Sequence, residues 1–351
     1  MSDPVAPARP KVKSAARKAK PAALTSGTIS PRWTLVTATG GPNYNGLAGV
    51  LVSLRLYDPV TRTAPMALML VGSGPSYWTS RDGLAWTETP MPADYVPRLG
   101  PCASSTGFTT LNLFGGFAEG VILGDLWTFE GARFVNDPGN SWRPGGGWQK
   151  VSTTRPTNPL PTGRFGACMA GSLEPGLETA TWGSSRGLFI YGGNFAFNEP
   201  GDVWSTTGWV GPWTRQPGRP GAVDQAAGVC WNGRLFQFGG HRGNTVVNEV
   251  WYSDDSGASW TQAPTPPWNG RSEIAVAKLG GSLCLVGGAT FHPQNEMWIT
   301  DDGLTWTPGP TPPGNIGVYG GLTGCKEAQS DEEPQRAWFV GQDGCVAKLE
   351  L

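Results

Sequence analysis

The chain has 351 residues, of which 52 are glycine, 32 proline and 17 tryptophan, and only 15% of its residues are charged. This composition is typical of many short strands joined by tight turns, because glycine and proline supply the backbone angles that turns require. After residue 33 no run of ten or more residues has helical apolar spacing, which excludes a mainly helical protein.

The chain begins with a basic leader, residues 1–30, that is rich in Ala, Pro, Lys and Ser. Residues 1–32 hold seven basic side chains and one acidic one, which leaves a formal charge of −7 for residues 33–351. Without aromatic residues the leader cannot bury enough apolar surface to offset its ordering entropy. We predict a disordered leader over 1–30 and a single domain over 31–351. The leader is interpreted as a flexible arm for an anionic partner or as a solvated tail, and the domain's acidic balance disfavours nucleic acid there.

No apolar stretch of the length that a secretory signal or a membrane span requires is present. The sequence therefore predicts a cytoplasmic or virion-associated protein. Its cysteines are expected to be free thiols in that compartment, mostly buried as small apolar side chains. Four of them occupy equivalent first strands of different repeats, which separates them: Cys102, Cys168, Cys230 and Cys325.

A short phrase built around a tryptophan recurs along the chain, with its tryptophans 46 to 65 residues apart. A period near 45 to 50 residues, lengthened by loop insertions, is typical of four-stranded propeller blades. The copies are PRWTLVT at 31–37, LAWTETP at 84–90, GWQKVST at 147–153, GPWTRQP at 211–217, ASWTQAP at 258–264 and LTWTPGP at 304–310.

A second pattern recurs between these phrases: an apolar run ending in Gly-Gly, a variable loop, and an acid or amide before an apolar residue and Trp. The clearest pairs are LFGG at 113–116 with DLW at 125–127, IYGG at 190–193 with DVW at 202–204, FQFGG at 236–240 with NEVW at 248–251, and CLVGG at 284–288 with NEMW at 295–298. The last block, AWFVGQ with GCVAKLEL, lacks a closing phrase, which residues 31–37 can supply. We therefore predict an all-β, six-bladed propeller of four-stranded antiparallel blades, closed by its N-terminal strand.

The Gly-Gly after an apolar strand and the Trp beyond it resemble a kelch-type β-propeller. SDDSGASW at 253–260 is similar to the Asp box of sialidases and related propellers, and TSRDGLAW at 79–86 and TDDGLTW at 300–306 are shorter relatives. In such a turn the carboxylate accepts backbone N–H bonds, glycine takes an unusual backbone conformation and Trp packs on the blade. The resemblance thus implies a structural role for these turns.

Strand alternation places the variable second-to-third-strand loops on the face opposite these turns, and such loops on a rigid scaffold commonly bind ligands. Three arginines begin first strands on the same face, where they could meet an anion near the channel. The resemblance to kelch blades also implies a structural role for an arginine at this position. The predicted ligand-binding residues are Arg98, Arg164, Arg271, Tyr319, Phe117, Phe195, His241, Arg242, Phe291 and His292.

These features favour a non-enzymatic module that binds a protein or glycan on this face, with no catalytic residue, metal or cofactor assigned. One alternative is a sialidase-like glycoside-processing enzyme, in which Tyr319, Glu273 and the arginines take the roles that the resemblance to sialidases implies. A further alternative is a structural subunit of a virion or phage appendage. His241 and His292 lie in equivalent loops, but two histidines without further ligands are a poor metal signal.

Overall fold

The computed structural model describes residues 31–36, 50–105, 109–135, 141–151, 160–171, 187–194, 201–206, 212–219, 221, 223–290, 292–313, 321–325 (backbone only), 336–341 and 345–351. These residues form strands and turns, and within them no helix is long and apolar enough to cross a membrane. The predicted leader lies outside the described residues, so the domain boundary at residue 30 stays a prediction.

In chain order the strands are β1 (Arg32–Val36), β2 (Val50–Arg55), β3 (Met66–Val71), β4 (Ser76–Ser80), β5 (Thr87–Pro90), β6 (Cys102–Ser105), β7 (Thr110–Phe114), β8 (Phe117–Ala118), β9 (Val121–Ile122), β10 (Leu126–Val135), β11 (Ser141–Lys150), β12 (Cys168–Gly171), β13 (Leu188–Tyr191), β14 (Val203–Thr206), β15 (Trp213–Gln216), β16 (Ala227–Trp231), β17 (Arg234–Phe238), β18 (His241–Arg242), β19 (Thr245–Val246), β20 (Val250–Ser253), β21 (Thr261–Gln262), β22 (Ala275–Leu279), β23 (Ser282–Val286), β24 (Met297–Thr300), β25 (Thr307–Pro308), β26 (Gly321–Cys325), β27 (Arg336–Val340) and β28 (Val346–Glu350).

These strands build six four-stranded antiparallel blades around a central channel. From the channel outwards the blades are β2-β3-β4-β5, β6-β7-β10-β11, β12-β13-β14-β15, β16-β17-β20-β21, β22-β23-β24-β25 and β26-β27-β28-β1. Each innermost strand contacts the innermost strand of the next blade, and β26 contacts β2 to complete the circle. The predicted six-bladed β-propeller is confirmed.

The N-terminal strand closes the ring. β1 pairs antiparallel with β28, with Trp33 opposite Leu349 and Val36 opposite Val346. The indole N–H of Trp33 donates to the carbonyl oxygen of Pro310, after the outer strand of the fifth blade, at 3.0 Å. The first strand that the structure describes is therefore the outer strand of the sixth blade, as the tryptophan phrase at 31–37 predicts.

Apolar side chains between neighbouring blades form the core. The second strands β3, β7, β13 and β23 are buried at almost every position, because a neighbouring blade covers each of their faces. Between the first and second blades, for example, Met69 and Val71 pack with Leu111 and Leu113, and all four are fully buried. This two-sided burial explains why the apolar runs before Gly-Gly are continuous instead of alternating.

The cysteine side chains that the structure describes are free thiols. Cys102, Cys168 and Cys230 lie on the inner strands β6, β12 and β16, as predicted. Burial raises the pKa of Cys102 and Cys168 to about 12, so neither is activated as a thiolate.

The turns between the third and fourth strands of three blades share one hydrogen-bond network. In the fourth blade the Gly257 N–H donates to Ser253 Oγ at 2.8 Å, and the Ser259 N–H donates to Asp255 Oδ1 at 2.8 Å. The hydrogen bonds from Ser259 lower the pKa of Asp255 below its usual value. Equivalent bonds join Ser80, Asp82 and Gly83 in the first blade and Thr300, Asp302 and Gly303 in the fifth. The turn carboxylates are thus committed to the backbone.

The glycine of each of these turns also touches the preceding blade. Gly303 has a φ of +76°, and a Cβ added to it would overlap the ring of Phe236 in β17. Likewise, a Cβ on Gly257 would lie 2.7 Å from Val203 Cγ1 of the third blade, and one on Gly83 would overlap Trp338 of the sixth. Glycine therefore lets the turn close and lets the blades pack.

We expect Gly303→Ala to destabilise the protein more than Gly281→Ala. Both glycines have positive φ, which costs alanine about 1 to 2 kcal/mol, but nothing lies within 4 Å of a Cβ on Gly281. The overlap with Phe236 adds about 1 to 3 kcal/mol at Gly303 only. Denaturant unfolding of both variants measures the difference, and equal losses of free energy of unfolding would show that the contact between the blades tolerates the methyl group.

Candidate functional site

Two short hairpins rise from the second-to-third-strand loops of the second and fourth blades. β8 and β9 pair Phe117 with Ile122, and β18 and β19 pair His241 with Val246. Because strands alternate in direction, these loops share a face with the connections to the next blade's first strand. We call this face the upper rim. The Ser/Thr-Asp-Gly turns lie on the opposite face, the lower face.

The hairpin of the second blade presents apolar side chains to solvent. Phe117 is 38% exposed and Val121 is 58% exposed. The turn residues Glu119 and Gly120 both have positive φ, which is the backbone of a tight type I′ hairpin. The Phe117 ring meets the edge of the Phe165 ring of the third blade, with centroids 6.5 Å apart. The predicted residue Phe117 is therefore accessible and held in place.

Three of the predicted ligand-binding residues, Arg98, Arg164 and Arg271, are instead enclosed in ion pairs. Their side chains have no exposed area. Arg98 Nη1 lies 2.5 Å from Asp125 Oδ1, Arg164 Nη1 lies 2.9 Å from Asp202 Oδ1, and Arg271 pairs with Glu296.

Each of these three guanidinium groups also donates to a backbone carbonyl oxygen. The acceptor is the first glycine of the Gly-Gly pair in the same blade, that is Gly115, Gly192 or Gly287. Each arginine thus ties together two loops of its own blade.

In the second, third and fourth blades the acid before the Trp also binds that Trp. Asp125, Asp202 and Glu249 each accept the indole N–H of the Trp two residues later, at 2.8 to 2.9 Å. Burial on its own raises the pKa of Asp202, but the charge and hydrogen bonds of Arg164, with bonds from Trp204 and Arg215, lower it overall. The pKa of Asp125 is lowered in the same way, so the partners of Arg98 and Arg164 are ionised carboxylates. A direct ligand contact by the three arginines stays a prediction, and their packing gives them a positioning role.

The fourth blade departs from this pattern. In the second, third and fifth blades the arginine lies four residues before the first strand. The equivalent residue of the fourth blade is Val223, which is fully buried. Arg242 of β18 holds the carboxylate of Glu249 instead, with N–O distances of 2.9 and 2.7 Å, and Arg219 lies 3.7 Å from the same carboxylate. The predicted residue Arg242 has a side chain that is 40% exposed, so one of the rim's arginines is accessible to a ligand.

Backbone hydrogen bonds link four consecutive blades just before their inner strands. Gly166 N donates to Gly100 O at 2.9 Å, Gln225 N to Gly166 O at 2.7 Å, and Glu273 N to Gln225 O at 2.8 Å. All four residues have φ between +50° and +62°. Because the inner strands surround the channel, this chain of bonds follows the channel mouth on the upper rim. Gln225 and Glu273 occupy positions where the other two blades have glycine.

A polar cluster lies at this mouth between the third, fourth and fifth blades. Asp224 accepts a hydrogen bond from Asn194 Nδ2 at 3.2 Å, and its Oδ1 lies 3.8 Å from Nδ1 of the predicted residue His241. Burial, with the nearby charge of Asp224, raises the pKa of Glu273 to about 7. Its Oε2 is buried and has no hydrogen-bond partner among the described residues. Sequence reasoning missed Asn194 and Asp224, which lie in different repeats.

The remaining predicted residues are placed as follows. His292 is exposed, and its carbonyl oxygen accepts a bond from Gln294 Nε2 at 3.0 Å. Tyr319, Phe195 and Phe291 lie outside the described residues. Within the described part of the chain, no three His, Cys, Asp or Glu side chains are grouped so that they could hold a metal ion. Comparison with protein-family models and with curated proteins finds no match to this chain.

Proposed function

We propose that this β-propeller is a non-enzymatic interaction module that binds a protein or a glycan on its upper rim. The observation that carries the proposal is the pair of hairpins β8–β9 and β18–β19, which present Phe117, Val121, His241 and Arg242 on a closed scaffold. Exposed aromatic and arginine side chains on rigid elements are frequent anchors of interfaces.

The packing of the lower face favours the upper rim as the binding surface. Its turn carboxylates are occupied by backbone N–H groups, and its turn glycines are packed against neighbouring blades. These turns have the hydrogen bonds expected of Asp boxes, and the Gly-Gly and Trp positions fit a kelch-type propeller, so we keep both resemblances as proposals. In this proposal the leader is a flexible attachment arm for an anionic partner.

We place the interaction module ahead of the glycosidase alternative for a physical reason. A sialidase-like site needs guanidinium groups that can meet a ligand carboxylate. Arg98, Arg164 and Arg271 are buried against carboxylates of the protein itself. In the proposed module they hold the rim loops in position, and the hairpins contact the ligand.

The proposal is tested with one substitution placed on each face. Val121→Asp changes the hairpin of the upper rim, and Val60→Asp makes the same change in the β2–β3 turn of the lower face, where Val60 is 89% exposed. Both side chains are solvent-accessible, so each substitution changes the free energy of unfolding by less than about 0.5 kcal/mol.

We expect the wild type and Val60→Asp to retain the same ligands on a glycan array or in quantitative capture from lysate, followed by affinity measurement with the purified ligand. Val121→Asp is expected to lose at least tenfold in affinity, because it buries a charge in an apolar contact. Equal affinity in all three proteins would move the site away from the β8–β9 hairpin.

A further inference from the structure

We propose that Glu273 and Asp224 form a proton-controlled latch between the fourth and fifth blades, which holds the β18–β19 hairpin more firmly in acid than in base. The latch itself is a property of the fold. Its consequence, that ligand affinity at the upper rim varies with pH, rests on the proposed function.

The latch lies where three blades meet. Asp224 and His241 exchange two backbone hydrogen bonds, at 3.0 and 2.8 Å, so Asp224 anchors the base of the β18–β19 hairpin. The adjacent Gln225 donates to Gly166 of the third blade and accepts from Glu273 of the fifth. Because these backbone hydrogen bonds connect both residues to both elements, a shift of Asp224 or Glu273 affects the hairpin and the contact between the blades.

Among the residues that the structure describes, the charges around Glu273 are unbalanced when its carboxyl group is ionised. From the fourth blade, the acidic Asp224 and the imidazole of His241 face this junction, and from the third blade Asn194 binds Asp224. The nearest arginine along the chain, Arg271, is committed to Glu296, and Arg242 is committed to Glu249. Two carboxylates thus share a buried region, and a proton on Glu273 removes their repulsion.

The direction of the pH effect on stability follows from the raised pKa of Glu273. The pKa of Glu273 in the folded protein, about 7, lies above its ordinary value of 4.5. A proton is therefore bound more tightly by the folded chain, and the stabilisation is complete below pH 4.5 and is lost as the pH rises through about 7.

Thermal unfolding between pH 5 and pH 8 tests the latch without any ligand. The wild type and the matched control Glu88→Gln, an exposed glutamate of β5, are expected to lose roughly 5 °C more in Tm over this range than Glu273→Gln. The fall in Tm over this range is expected to be smaller in Asp224→Asn than in the wild type. In His241→Gln it is expected to be nearly as large as in the wild type. Equal pH dependence in the wild type and Glu273→Gln would overturn the latch.

Hydrogen exchange of the two hairpins tests the coupling. After correction for intrinsic rates, protection of β18–β19 is expected to fall severalfold from pH 6 to pH 8 in the wild type and to stay constant in Glu273→Gln. β8–β9 is the internal control, because Leu99 and Phe117 stand where the fourth blade has Asp224 and His241. A fall in Tm with unchanged protection of β18–β19 would overturn the link to the hairpin. Both readouts are independent of whether Val121→Asp loses a ligand.

Discussion

A chain that lacks residues 1–36 is expected to lose at least about 5 kcal/mol of its free energy of unfolding, whereas a chain that lacks only residues 1–30 unfolds like the full-length protein. The longer deletion removes β1 and with it the hydrogen bonds to β28 and the indole bond from Trp33 to Pro310. It also uncovers Ala347 and Leu349, which are fully buried. Exposing such surface costs about 25 cal/mol per Å², and the loss approaches the whole stability of many domains.

Thermal unfolding and size-exclusion chromatography measure this difference. The longer deletion leaves β28 as an unpaired edge strand, so we also expect concentration-dependent association. Trp33→Ala reproduces part of the loss within the full chain, and Thr34→Ala, an exposed position of the same strand, is its matched control. Identical melting of the two truncated chains would show that β1 does not close the ring.

Asp202→Ala is expected to lower the free energy of unfolding by about 3 to 5 kcal/mol, because it leaves the buried guanidinium of Arg164 without a counter-charge. The side chains of Arg164 and Asp202 are 0% and 8% exposed. Arg215 binds the same carboxylate at 3.0 Å, but its side chain is 67% exposed. Arg215→Ala is therefore the matched control, with an expected loss below about 1 kcal/mol.

Denaturant unfolding of the two variants and of Arg164→Met/Asp202→Leu separates the causes. The double variant removes both charges and is expected to recover most of the loss. Because the pKa of Asp202 is lowered, its contribution to stability is present at neutral pH and is lost as the pH falls below 3.8. A similar loss in Asp202→Ala and Arg215→Ala would mean that burial does not decide the strength of this pair.

The location of the candidate site could largely be predicted from the sequence, but the pairing of its charged side chains could not. The rim loops and the exposed residues Phe117 and Arg242 follow from strand alternation and loop variability. A structural role for Arg98, Arg164 and Arg271 was one interpretation of the sequence, but their partners did not follow, since each partner carboxylate lies 25 to 38 residues further along the chain. The arginine and the acid of each ion pair both recur in the sequence repeat. Their pairing follows only from the contact between the two loops in the folded chain.

The second blade shows a similar limit. The phrase GWQKVST predicts an outer strand like the others, but β11 begins at Ser141 and pairs with a ten-residue β10 that carries a bulge between Glu130 and Ala132. This longer ribbon packs on the first blade, where the Tyr57 N–H donates to Gly131 O at 3.1 Å. The contact joins two blades, and no local pattern in the sequence indicates which neighbour the ribbon meets.

The sequence by itself determined the six blades, their order and their closure, because apolar runs, Gly-Gly ends and Trp phrases are local signals with a fixed period. Tertiary structure alone decided which polar groups meet. Glu273 and Asp224 come from different repeats, and they interact only because the ring brings the starts of neighbouring inner strands together. The raised pKa of Glu273 is a consequence of that burial, which no single repeat possesses.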